Sequence, residues 1–420
     1  MDAKMEKSKT VGLLPRIAAA IILGIGAGCC FGACGEGCAA VPEWAARVFA
    51  TFGSVFSGYL SFMIPLIIAA LVTASIAEME RGAGRLLAMT VAISYIDTAV
   101  CGFATLGVGK FLFPLFMDGS AGAAAAAAPY PAPAPFFTIA MPPLFDVMSA
   151  LALSFIAGIG ISSLRCDTLR RAACEFRDIV TAAIGKTIIP LLPLYIFCIF
   201  LKMSWTGEVA VMLVSFAKVI AVIFAMHIAV ILLQFCAAGA VARRNPFKAL
   251  AAMMPAYFTA LGTSSSAATI PVSHKCALDY GISKETAGFV IPLTATIHMS
   301  GSAMKITGCA IALVMMKGGT VDIAAFSGFV MMLGLVTVAS PGVPGGAIMA
   351  SLGILQSILG FGAEEQALMI ALYMAMDSFG TACNVVGDGA IAMVVDRYAR
   401  GEAETVSPAE RSPAAGPGGC

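Results

Sequence analysis

The chain has 420 residues, of which 60% are hydrophobic and 12% charged, and its net charge is +1. That apolar share excludes an ordinary water-soluble domain and makes the bilayer the solvent, while the balanced charge excludes a basic nucleic-acid-binding surface. No GxxxxGK[ST] loop is present to cradle ATP phosphates, so any pumping must draw on an ion gradient.

In chain order, Lys4, Lys7 and Lys9 precede an apolar run from Val11 to Ala33. At ~20 residues for a bilayer core this run is long enough to span and longer than a usual signal-peptide core, so it reads as the first spanning helix. Cys29, Cys30, Cys34 and Cys38 gather at its end without a supporting His, and packing rather than metal binding is expected of them. Further spanning stretches are expected near 46–77, 86–109, 142–163, 179–203 and 207–239. With a cytoplasmic N-terminus, Arg81 and Arg85, then Arg165, Arg170, Arg171 and Arg177, then Arg243, Arg244 and Lys248 all fall inside, as the positive-inside rule requires. The Ala/Pro segment at 119–137 reads as a flexible outer loop without chemistry.

Beyond Asn245 the apolar stretches are broken by TSSS at 263–266, HMSGS at 298–302, SPGVPGG at 340–346 and NVVGDG at 384–389. Irregular backbone at membrane depth is tolerated only where protein or a cavity satisfies its polar groups, so the four breaks are expected to converge on one site. They form two parallel sets: an interrupted segment (245–281, then 321–361), each followed by a full helix (285–317, then 364–399). Paired discontinuous segments mark a transporter site built from repeats, whereas ordinary kinks would explain one break but hardly four. Asp377, Thr381, Asn384 and Asp388 recur at helical spacing and share one face. The tail after Arg400 is expected to be a disordered cytoplasmic end.

These residues resemble the dicarboxylate/amino acid:cation symporter family, the glutamate transporter family, most strongly from Pro246 to Arg400. The resemblance implies an all-α polytopic inner-membrane protein with eight transmembrane helices, two re-entrant helical hairpins and inverted repeats. It further implies a homotrimer and an elevator-type movement. Residues 1–240 would be mostly scaffold, with the third and sixth helices joining a transport core at 241–400, and 401–420 would be the tail. Ser264, Ser265 and Ser266 would hold a substrate carboxylate. Ser340, Gly342, Val343 and Gly345 would form the second hairpin's gate. Asp377 would bind an amino group, Thr381, Asn384 and Ser302 would assist, and sodium would be held by Met299, Asn384 and Asp388. Tyr95 and Thr98 have the spacing of a further sodium site.

The departures bear on cargo. His298 and Ser300 stand where the family carries Asn and Asp, so that further site lacks its acid; Asp97 is expected either to replace it or to pair with Lys305. Each such charge alone costs ~2.5 to 3.5 kcal/mol at a helix centre, which favours pairing. His298 raises the possibility of proton coupling beside sodium, with a hydrogen bond across the bundle as its plainer role. His227 and His274 complete no ligand set with it, and no structural metal or other cofactor is expected. Gly380 occupies the position of an Arg found in acidic-substrate members, which points to a small neutral amino acid; Lys305 points instead to an acidic amino acid or dicarboxylate. A channel and an intramembrane aspartyl protease using Asp97 and Asp388 are the competing classes, the latter requiring the two carboxylates to share a proton.

Overall fold

The computed structural model describes residues 13–32, 43–78, 84–117, 133–164, 166–206, 209–338, 340 and 345–405. Within these the chain is helical, without a strand. The first half forms α1 (Leu13–Gly32), α2 (Glu43–Glu78), α3 (Gly84–Leu112), a single turn α4 (Pro114–Met117), α5 (Val147–Leu164), α6 (Asp167–Ala183), α7 (Ile189–Trp205) and α8 (Val209–Ala242). The second half forms α9 (Pro246–Thr263) and α10 (Ser266–Asp279), α11 (Lys284–Ile297) and α12 (Ser300–Met316), α13 (Ile323–Val338) and α14 (Gly346–Leu359), and α15 (Ala363–Ala375) and α16 (Asp377–Thr405). Each pair is thus two helices with an interruption, and the order hairpin, broken helix occurs twice.

Most expected spans match within a few residues, and the exceptions have physical causes. The stretch expected at 179–203 begins at Asp167, because α6 is amphipathic, carrying Arg170, Arg171, Glu175, Arg177 and Asp178, and a π turn at Ile184–Ile188 joins it to α7. The break expected at 384–389 is absent: α16 runs through it, and the break in that segment lies at Met376. Gly387 and Gly389 serve close packing there instead, since a Cβ would fall 2.6 Å from His298 Cε1 and 2.8 Å from Met253 Cγ. The segment 285–317 parts at His298–Met299, inside the break expected at 298–302. Of the Ala/Pro loop, residues 133–137 are described, and they rest on α2: Arg47 lies 4.3 Å over Phe136 and donates to the Ala134 carbonyl. Cys29 and Cys30 fall in the last turn of α1, whereas Cys34, Cys38, Arg81, Arg165 and residues 406–420 lie outside the described residues.

Two sets of helices pack among themselves. In the first, α1 lies against α7 and α2 against α5, α6 and α7. In the second, α3 lies against α12 and α13, α8 against α9 and α16, and α9 against α10 and α16. The most apolar windows of Lys284–Met316 and Asp377–Ala399 are 89% and 83% buried, against 33% to 39% for Leu86–Leu112, Asp167–Trp205 and Leu213–Ala242. The two broken helices therefore occupy the centre, where protein and not lipid meets their polar residues. Six described stretches are long and apolar enough to cross a bilayer, with α1 and α5 shorter apolar companions, so the chain is a multi-pass membrane protein.

Candidate functional site

The first hairpin turns because two serines take conformations that a helix interior forbids. Ser264 closes α9 in the left-handed region (φ 50°), and Ser265 is extended and caps α10, its Oγ accepting from Ala268 N at 3.3 Å. Ser266 begins α10 and is buried, while Ala267 and Ala268 after it are exposed. Ser264 Oγ reaches Ser378 Oγ at 2.7 Å, so this tip touches the first turn of α16.

The second hairpin reaches the same turn. Ser340 bonds back to the Thr337 carbonyl through N and Oγ, and Gly345, at φ 76°, starts α14. Gly345 N donates to Asp377 Oδ2 at 2.9 Å. Gly342 and Val343 lie outside the described residues.

Asp377 is the first residue of α16, just past the Met376 break, and Lys305 Nζ meets its Oδ1 at 3.1 Å. Both side chains are buried, and the ammonium also lies 3.7 Å from the centre of the Tyr373 ring. Gly380 makes room for the lysine, because a Cβ there would stand 2.5 Å from Nζ and 2.8 Å from Cδ. The expected Asp97 to Lys305 pair does not form. Lys305 lies two turns along α12 from the break, level with Asp377, whereas Asp97 lies level with the break itself.

At the α11–α12 break, the extended backbone of His298 aims its ring between two carboxylates: Nδ1 to Asp388 Oδ1 at 3.0 Å and Nε2 to Asp97 Oδ2 at 2.7 Å. Gln234 of α8 donates to Asp97 at 2.7 Å and approaches Ser300 Oγ at 3.4 Å. Asn384 ties the break to α16: its Oδ1 accepts from Gly301 N at 2.7 Å, and its amide nitrogen faces Met299 Sδ at 3.4 Å and Ser302 Oγ at 3.2 Å. Thr98 Oγ1 accepts from Met299 N at 3.3 Å. Tyr95 stands apart, donating to the Met331 carbonyl on α13 at 3.2 Å. Thr381 is buried on the same helix as Asp377 and Asn384.

Tyr373 and Gln234 were not singled out from the sequence, and His227 was named there only as completing no ligand set. Tyr373 holds Ser302 Oγ at 3.0 Å from the last turn of α15, across the Met376 break from Asp377. Gln234 is a lone amide in an apolar helix, and His227 Nε2 meets the Gly301 carbonyl at 3.1 Å. Polarity within an apolar span was the available signal for both.

Chemically, one end of the site offers serine hydroxyls, helix-start amides and an ammonium, which suit a carboxylate. The other offers the oxygens of Asn384, Asp388 and Thr98, the hard donors that an alkali cation takes. Among the described residues no group of three or more His, Cys, Asp or Glu is arranged to hold a metal ion.

The chain resembles known proteins over most of this framework. It is 28% identical over 280 residues to excitatory amino acid transporter 2 of Mus musculus, covering 63% of this chain and 48% of that protein. It is 32% identical over 165 residues to excitatory amino acid transporter 3 of Mus musculus, covering 39% and 31%, and 26% identical over 258 residues to an excitatory amino acid transporter of Caenorhabditis elegans, covering 59% and 50%. The chain thus spans about half the length or less of the curated relatives it matches. The profile of the sodium:dicarboxylate symporter family matches residues 13–398, which include both hairpins, both broken helices and the helices that carry Asp97 and Gln234. The chain therefore belongs to the sodium:dicarboxylate symporter family.

Proposed function

We propose that this protein is a secondary active symporter, not an enzyme, coupling sodium entry to the uptake of a small carboxylate-bearing solute. The observation that carries this reading is the meeting of both hairpins at one turn of α16: Gly345 N on Asp377 at 2.9 Å and Ser264 on Ser378 at 2.7 Å. A solute held between the tips is enclosed when both are shut. Ser264, Ser265 and Ser266 bind its carboxylate, with Ser302, Ser340 and Thr381 around it. Met299, Asn384 and Asp388 hold sodium as co-transported cargo. Coupling then follows from linkage, because each cargo that favours the closed state raises the affinity for the other.

The substrate has two readings. The glycine at 380 favours a small neutral amino acid, since no arginine grips a second carboxylate there. The buried Lys305 ammonium favours an acidic amino acid or dicarboxylate, and its presence at Asp377 gives that second reading the stronger observation. Names of the relatives, excitatory amino acid transporters, agree with a carboxylate-bearing cargo.

The moving unit is residues 241–400 together with α3 and α8, sliding as an elevator against α1, α2, α5, α6 and α7; the two packing sets support this division. A homotrimer in the inner membrane with cytoplasmic termini completes the proposal. Against a channel stands the mixed, compact set of groups aimed at one solute. Against an aspartyl protease stands the His298 ring, which lies between Asp97 and Asp388 and leaves them no proton to share directly.

The test is uptake of labelled serine, alanine, aspartate and succinate into proteoliposomes with and without an inward sodium gradient. Accumulation of one or more only with the gradient is expected. Gradient-independent equilibration of all four would overturn symport in favour of a channel.

A further inference from the structure

We propose that Lys305 is a tethered ammonium that permanently occupies the cation position on Asp377, so that the solute selected by this site is a small carboxylate with no ammonium group of its own. The inference rests on the symporter reading above and names its substrate class.

The case begins with Asp377. Its Oδ1 accepts from Lys305 Nζ at 3.1 Å and its Oδ2 from Gly345 N at 2.9 Å, so each oxygen of this buried carboxylate already has a donor. The lysine side chain is fully buried and runs through the hollow left by Gly380, with its ammonium against the face of Tyr373 at 3.7 Å. Glycine, aromatic face and carboxylate together hold the ammonium in place. It is built into the site and not laid across it.

The two other carboxylates at the α11–α12 break are already engaged. Asp97 and Asp388 both face His298, at 2.7 and 3.0 Å. Near the tips stand the Lys305 ammonium, the serine hydroxyls of the first tip and the start of α10, which together can offer a carboxylate several donors. A carboxylate satisfies these. An α-amino group brings a like charge beside Lys305 and must be desolvated without a carboxylate partner, which is discrimination by a repulsive element.

Space lies nearby. A crevice of ≈ 310 Å³ between α8 and α16 is lined by Ile220, Ile223, Phe224, His227, Met376 and Phe379. Ile223 also faces Gly308, and His227 Nε2 meets the Gly301 carbonyl, so the crevice backs on the stretch of α12 that carries Lys305. Its walls are apolar except for His227, whose buried Nδ1 has no partner. Such a lining suits the carbon skeleton of a small acid and offers an ammonium one neutral acceptor, His227 Nδ1, and no carboxylate.

The experiment compares pairs that differ only in the amino group, succinate with aspartate and propionate with alanine. Each is measured by sodium-driven uptake in proteoliposomes and by thermal stabilisation of the purified protein. The amino-free member of at least one pair is expected to be preferred by about tenfold or more in both measurements. Equal or better handling of aspartate or alanine overturns the inference while leaving symport intact. Binding of the amino-free acids without gradient-driven uptake removes the symport reading and leaves the inference standing. Binding and uptake of none of the four overturn both. Lys305→Met, which frees Asp377, is expected to reverse the preference within a pair. The charge-balanced pair Lys305→Met with Asp377→Asn is expected to abolish discrimination, and keeps the test readable should the single variant fold poorly.

Discussion

At the scale of single residues, this protein buries two charge clusters that depend on mutual satisfaction. His298 bridges Asp97 and Asp388 at 2.7 and 3.0 Å; His298 and Asp388 are buried, and Asp97 is 24% exposed. Removing one member of a buried ionic group strands the others, typically at a cost of about 3–5 kcal/mol. His298→Ala is therefore expected to lower stability by roughly that amount, and a double-mutant cycle with Asp388→Asn, followed by thermal unfolding in detergent, is expected to show strong coupling. Independent, additive effects would mean that the ring does not bridge the acids. Gly387 tests the same cluster by size, since its missing Cβ would fall 2.6 Å from His298 Cε1 and 3.0 Å from Gln234 Oε1. Gly387→Ala is expected to cost about 1–3 kcal/mol through overpacking, despite alanine being the better helix former. A neutral or stabilising result would place the ring elsewhere.

At the scale of elements, the decisive features are interruptions. The first hairpin is held at its tip by Ser265, whose side chain caps α10 at 3.3 Å, and at its base by Asn245, which caps α9 through Phe247 N and Lys248 N at 3.0 and 3.1 Å. Each cap is worth about 0.5–2 kcal/mol, so Ser265→Ala and Asn245→Ala are each expected to destabilise locally by that order. Hydrogen exchange is expected to rise at residues 263–270 in the first variant and at 246–250 in the second, and a uniform rise across both would point to global unfolding instead. Three of the four breaks were legible because serine, glycine and proline clusters stand out in apolar surroundings. The fourth was misplaced. Glycines in NVVGDG read as unwinding, but their use is close helix approach, and only the neighbours His298 and Met253 disclose that. The break at Met376 had no such marker, since nothing in ALYMAMDS departs from helical composition except the acid itself.

At the scale of the whole molecule, the two packing sets meet through few polar contacts, and these bear on whether one slides past the other. Lys202 of α7 pairs with Glu364 of α15, and Tyr195 Oη donates to the Ala363 carbonyl at 3.3 Å. If α15 moves with the core, joining Lys202→Cys to Glu364→Cys by a reversible cross-link is expected to abolish uptake, and reduction is expected to restore it. Full uptake in the cross-linked protein would mean that the two sets need not part. The sequence by itself determined the membrane environment, the helical class, the two hairpins and the identity of the polar residues, because hydropathy and the cost of polar backbone in lipid act locally along the chain. Pairing was decided only by the tertiary structure. Which acid takes Lys305 and which takes His298 depends on how residues 72 and 201 positions apart in the chain come level across α12, α16 and α3. Composition and spacing carry no record of that registry, since it is fixed by the breaks at 298–299 and 376 and by the glycines that let the helices approach.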